Sequence, residues 1–130
     1  MSLRPGFFFF MRLADLSHWP QILPGIEALR QKTGAAWTAA EVYQAVASGE
    51  YRLFVAPEGF VVAKVRIRFG VPEMYIWLAY GQGQVVERYE AEILALARAA
   101  GARRITFQSP RLGWRRKGWT METISYRRDL

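Results

Sequence analysis

The sequence has no cysteine and a single histidine, His18, among its 130 residues. Without cysteine, a disulfide scaffold, a thiol nucleophile and a Cys/His zinc site are all excluded. A Ser-His-Asp triad would rest entirely on His18, which stands beside Trp19 and Pro20 and reads as a helix-start residue. Long apolar runs are missing as well. The run Phe7-Phe8-Phe9-Phe10-Met11 is cut by Arg12 and falls far short of the ~20 residues a membrane helix needs. No signal-peptide pattern is found. The expectation is a soluble cytoplasmic protein with no membrane partner and no metal.

Acidic charge is scarce toward the end of the chain. Residues 1–102 carry ten Lys and Arg against nine Asp and Glu, whereas residues 103–130 carry eight against two. The net charge of +7 therefore lies almost wholly in the last 28 residues. Such a stretch attracts phosphates, nucleic acid or an acidic partner. What is abundant is core material. Hydrophobic residues make up 52% of the chain and aromatic residues 15%, which excludes intrinsic disorder. At this length, with no repeat, low-complexity tract or linker, residues 1–130 form one domain.

The periodicity predicts an α+β chain. Residues 7–13 read as a strand buried on both faces. Ser17 is the expected cap of a helix running to about Lys32, with Pro20 in its first turn and Gly34 past its end. Pro24 either kinks this helix or starts it. The spacing Thr38-Ala39-Ala40-Glu41 is that of a capping box, opening a second helix that Gly49 stops. From Tyr51 the period becomes extended, predicting an antiparallel meander over residues 51–56, 61–69 and 74–79. In the middle strand Lys64, Arg66 and Arg68 alternate with Val65, Ile67 and Phe69, which predicts a solvated basic face and a buried apolar one. A helix over residues 85–100 then crosses to a parallel strand at residues 105–107. A short loop or helix and a final strand over residues 120–128 complete the pattern.

Between the third meander strand and its helix lies Tyr80-Gly81-Gln82-Gly83-Gln84. Glycines in such a connection let the backbone approach a ligand, and the free amides at a helix start face anions. Glu87, Glu90 and Glu92 suit the helix dipole but bring negative charge to the same place.

In this order of elements the sequence resembles the GNAT acyltransferase superfamily over nearly the whole chain. The resemblance implies a mixed, mostly antiparallel sheet of about six strands flanked by helices, with the strand–Gly-x-Gly–helix unit at its centre. It also implies acetyl-CoA or CoA as cofactor and a primary amine as acceptor. The family's Arg/Gln-x-x-Gly-x-Gly/Ala loop, whose amides hold the pyrophosphate, corresponds here to Tyr80-Gly81-Gln82-Gly83-Gln84-Val85. Gly81 and Gly83 match, while Tyr80 replaces a basic or amide residue and Val85 a small one. The implied cofactor-binding residues are Leu78, Ala79, Tyr80, Gly81, Gln82, Gly83, Gln84 and Val85. A backbone amide near Leu78 or Ala79 is placed to polarise the thioester carbonyl.

The family's Tyr-x-x-x-Gly-Phe segment corresponds to Trp114-Arg115-Arg116-Lys117-Gly118-Trp119. Its tyrosine, which commonly protonates the departing thiolate, is replaced by Trp114, whose indole N–H cannot serve as an acid near neutrality. Candidates for that proton are Tyr126, Tyr80 and Ser109, and Glu73 is the candidate base for the amine. Trp19, Ile22-Leu23-Pro24, Thr38-Ala39-Ala40-Glu41, Gly49 and Arg111-Leu112-Gly113-Trp114 together look like a subset of small phage-encoded GNAT-like proteins. That likeness opens an alternative: an inactive, virion-associated module in the host cytoplasm or the virion. It would bind phage structural proteins or nucleic acid through Arg111, Trp114, Arg115, Arg116 and Lys117. A third reading keeps coenzyme A as a structural ligand.

Overall fold

A sheet whose strands follow one another in sequence order organises the chain. The computed structural model describes residues 11–57, 59–81 and 89–107. Within them the elements are β1 (Arg12–Ala14), α1 (Trp19–Thr33), α2 (Ala39–Ala47), β2 (Arg52–Ala56), β3 (Gly59–Arg68), β4 (Val71–Gly81), α3 (Glu90–Ala99) and β5 (Arg104–Phe107). Strands β1 to β4 pair antiparallel, and β5 lies parallel to β4 across the α3 crossover. The meander and the parallel fifth strand are as the periodicity predicts. The expected sixth strand and residues 7–10 lie outside the described residues.

Local chemistry sets most boundaries, with two corrections. Ser17 does not cap α1. Its backbone N–H and hydroxyl both donate to the Asp15 carboxylate, which closes a short 3-10 turn (Leu16–His18). His18 takes the N-cap position of α1 without a side-chain capping bond, and Pro20 occupies the first turn, where its missing N–H costs little. Pro24 lies inside the helix and neither starts nor stops it. Gly34 ends α1 in the left-handed region, at φ 60°. Half of the capping box forms: the Thr38 hydroxyl oxygen accepts the Glu41 N–H at 3.3 Å. The Glu41 carboxylate reaches the Thr38 hydroxyl rather than turning back to the backbone.

The sheet is covered on both faces. On one face α1 and α2 press Ile22, Ile26 and Val42 against Leu53, Phe60, Val62 and Leu78. On the other, Tyr89, Ile93 and Ala97 of the α3 segment meet Phe54, Val61, Ala63, Met74 and Ile76. Burying each such aliphatic side chain contributes roughly 1.5–3 kcal/mol. No helix among the described residues is long and apolar enough to cross a membrane.

The alternation in β3 holds along the strand, but its apolar half is not covered at the far end. Val65, Ile67 and Phe69 are 39%, 75% and 87% exposed, against the expectation of a buried face. Burial follows the helices: the positions before residue 64 lie beneath them, and the β3–β4 hairpin runs past their reach. Its tip is the two-residue turn Phe69-Gly70, with positive φ at both residues (53° and 75°) and Arg68 paired to Val71.

Candidate functional site

Strand β4 carries the features that a site can be built on. Consecutive β3 residues Val62 and Ala63 pair with Leu78 and Ile76, so Trp77 is an extra residue in β4. This bulge resets the in–out alternation. Before it, Met74 and Ile76 face the α3 side; after it, Leu78 and Tyr80 face α1. The ladder with β5 joins Glu73 to Arg104, Met74 to Ile105, Tyr75 to Thr106 and Ile76 to Phe107. After the bulge, residues 78–81 of β4 pair with residues 59–62 of β3.

Of the residues expected to hold a cofactor, Leu78, Ala79, Tyr80 and Gly81 are described, and all four are strand. Tyr80 pairs with Phe60 and Gly81 with Gly59, which corrects the expectation that the loop begins at Tyr80. The Tyr80 ring stacks on Phe60 with centroids 5.8 Å apart. Both rings lie against Gly25 of α1, where an added Cβ would come within 2.6 Å of Tyr80. The Leu78 side chain is buried in the same layer. The Leu78 side chain and the Tyr80 ring are therefore committed to packing, which leaves the main-chain atoms of this stretch as its principal means of serving a ligand. Gln82, Gly83, Gln84 and Val85 lie outside the described residues.

The described part of α3 begins at Glu90, with Tyr89 at its cap and no side-chain capping bond. Glu92, in its first turn, is turned into the protein and accepts the Met11 N–H at 3.2 Å. Its charge is thus partly absorbed by a backbone donor.

Glu73 is placed quite differently from a general base. Its side chain has no exposed surface. One carboxylate oxygen accepts Arg66 Nε at 2.8 Å and the Thr106 hydroxyl at 2.8 Å. The other accepts Arg68 Nε at 2.9 Å and Arg104 Nε at 3.0 Å. Burial alone would push this carboxyl up. The bonds from Thr106, Arg68, Arg66 and Arg104 outweigh it and hold the group down at about 2. A carboxylate so poised has little tendency to take a proton from an amine, which corrects its expected role. It instead ties β3 and β5 to β4.

Sequence reasoning missed these partners. The usable signal was the single acid opposite a basic alternation, with Arg104 and Thr106 two residues apart on the adjoining parallel strand. Around it, the Arg66 guanidinium lies 4.2 Å from the Tyr75 ring centroid, and Lys64 Nζ lies 4.9 Å from that of Tyr51. Tyr51 and Trp37 flank Trp77 at 4.9 and 6.1 Å between centroids. Burial raises the Tyr75 hydroxyl above its ordinary value, and Tyr51 adds to this against the pull of Arg66 and Lys64.

Ser109 and Tyr126 lie outside the described residues, as do Arg111, Trp114, Arg115, Arg116 and Lys117. Among the described residues no three His, Asp or Glu side chains gather as metal ligands.

No family model and no curated protein matches the sequence. Solved structures do match it. The chain is similar to an aminoglycoside acetyltransferase from an uncultured soil metagenomic sample, at 10% identity and a TM-score of 0.67 over 92% of this chain and 95% of that one. It is similar to a ribosomal-protein-alanine N-acetyltransferase from Brucella melitensis at 13% identity and 0.66, over 92% and 97%. A GCN5-related N-acetyltransferase from Ralstonia eutropha aligns at 15% identity and 0.65, over 92% and 97%. At such identities the likeness speaks for architecture: this chain has the fold of the GNAT acetyltransferases.

Proposed function

We propose that this protein is an N-acyltransferase that moves an acetyl group from acetyl-CoA to a primary amine. What supports this reading is the acetyltransferase-like fold together with the bulge at Trp77, which resets β4 just before residues 78–81. Where a bulge parts a strand from its neighbour, the main-chain donors and acceptors of residues 78–81 would suit an extended ligand arm carrying amides. Leu78 and Ala79 would hold such a cofactor through main-chain atoms, and the resemblance assigns Gln82, Gly83, Gln84 and Val85 to its pyrophosphate. The cofactor, when bound, supplies the acyl group as an activated thioester.

The chain's own contribution is positioning and polarity. Packing of Leu78 and Tyr80 against α1 fixes the β4 main chain, so that its donors are pre-oriented rather than ordered on binding. Glu73 holds no proton to exchange. The acceptor amine would be relieved of its proton by water or by a residue beyond those described, with Tyr80, Ser109 and Tyr126 as candidates for the thiolate.

Thermal melting with and without millimolar acetyl-CoA tests the proposal. Ligand at 100 times its dissociation constant should add roughly 2.7 kcal/mol to stability. Turnover against an amine panel should follow. The absence of any shift would overturn the proposal, and a shift without turnover on any amine would reduce it to coenzyme binding.

A further inference from the structure

We propose that the solvent-facing side of the Glu73 cluster binds an oxyanion, a phosphate or carboxylate, on the acyl acceptor, so that the protein selects acidic amines. The inference rests on the acyltransferase proposal above and adds the substrate class.

Three guanidinium groups from two strands converge on one carboxylate, so among the described residues positive charge exceeds negative charge here by two. Arg68 is engaged elsewhere as well and is counted only as support for Glu73. Arg66 and Arg104 alone still outnumber the carboxylate. Each uses Nε on Glu73, which keeps the Nη pairs for other acceptors; Arg104 gives Nη2 to the Arg68 carbonyl at 3.0 Å. The side chains are about a third exposed, at 35% and 34%, while their anchor is fully enclosed. These guanidiniums are thus fixed from behind and wet in front. Stacking on Tyr75 further restricts Arg66. Preorganised guanidiniums lose little freedom when they take an oxyanion in bidentate fashion.

The location suits an acceptor. Lys64, Arg66 and Arg68 continue the face of β3 on which Phe60 and Val62 meet α1. Arg66 pairs with Glu73, four residues before the Trp77 bulge, roughly 13 Å along the strand. An amine whose anionic group is held at Arg66 could therefore present its nitrogen near the bulge.

The test begins without coenzyme. Inorganic phosphate and citrate are titrated into the full chain against chloride at matched ionic strength, followed by thermal midpoint and amide NMR shifts. The expected result is a saturable rise in midpoint, with shifts centred on Arg66, Glu73 and Arg104. R66Q should weaken binding about tenfold, the loss of one charge-assisted hydrogen-bond pair. R66K, which keeps the charge but not the fork and guards against a folding defect in R66Q, should fall between. No saturable response to either anion overturns the proposal. So does a response unchanged in R66Q, which would place the anion on another basic segment. Amines with and without a phosphate or carboxylate are then compared as acceptors. Equal kcat/KM for neutral and acidic amines sinks the acceptor assignment while leaving the acyltransferase proposal standing. Anion binding at Arg66 with no response to acetyl-CoA ends the acceptor assignment together with that proposal.

Discussion

Between Glu73 and Ile76, strand β4 has a neighbour on each side, and its one acid is gripped from both. From Leu78 to Gly81 it pairs with β3, and aromatic packing against α1 holds it. The first segment is fixed by charge-assisted hydrogen bonds among groups that are costly to bury apart; the second is fixed by shape. The bulge separates them. A strand needs firm anchorage at one end if its other end is to present a main-chain edge to a ligand, and here the anchor is electrostatic.

The largest way to break the comparison is to remove the anchor. Glu73→Gln leaves three guanidiniums facing one another and should cost about 3 kcal/mol in urea unfolding. Hydrogen exchange should rise at residues 71–76 more than at residues 78–81. Adding Arg66→Gln should recover part of the loss, since one repelling charge goes with it.

Acid should act on the same segment. The Glu73 carboxyl lies at about 2 in the folded chain against an ordinary 4.5. Its stabilisation is therefore present above about pH 4.5 and lost as pH falls toward 2, up to about 3 kcal/mol. A stability–pH profile that is equally steep in Glu73→Gln over this window would refute the assignment.

Gly25→Ala probes the other segment. The added Cβ meets the Tyr80 and Phe60 rings at 2.6 and 2.8 Å, so α1 or the rings must shift. An overpacking cost of about 2 kcal/mol is expected from the urea midpoint, with the exchange pattern reversed from that of Glu73→Gln.

The smallest effect lies at the hairpin tip. Phe69 is a bulky residue held at φ 53°. Phe69→Asn should relieve strain of roughly 1 kcal/mol, partly offset by losing the Arg68 guanidinium 5.6 Å from its ring. A small rise in thermal midpoint is the expected reading.

Much of this was legible from periodicity and punctuation. Gly34 and Thr38 mark ends that the structure keeps, and the meander followed by a crossover helix predicts the antiparallel run and the parallel β5. What periodicity cannot give is reach. Val65, Ile67 and Phe69 alternate as a buried face would, yet no helix among the described residues extends far enough to cover them. The bulge at Trp77 was invisible for a related reason: one inserted residue changes parity without changing composition. The Glu73 cluster depended on a register joining three strands, which no local window contains. Of the residues expected at the cofactor site, the sequence placed Leu78 and Ala79 on the correct strand but mistook Tyr80 and Gly81 for loop.

The tryptophan at the bulge has a practical corollary. Trp77 and Trp37 lie edge to face at 6.1 Å, with Tyr51 on the other flank. Rings this close couple their strong transitions, so far-ultraviolet circular dichroism should contain an exciton couplet from the indole pair. Its amplitude would serve as an intrinsic optical gauge of the junction between the two halves of β4, readable without any label.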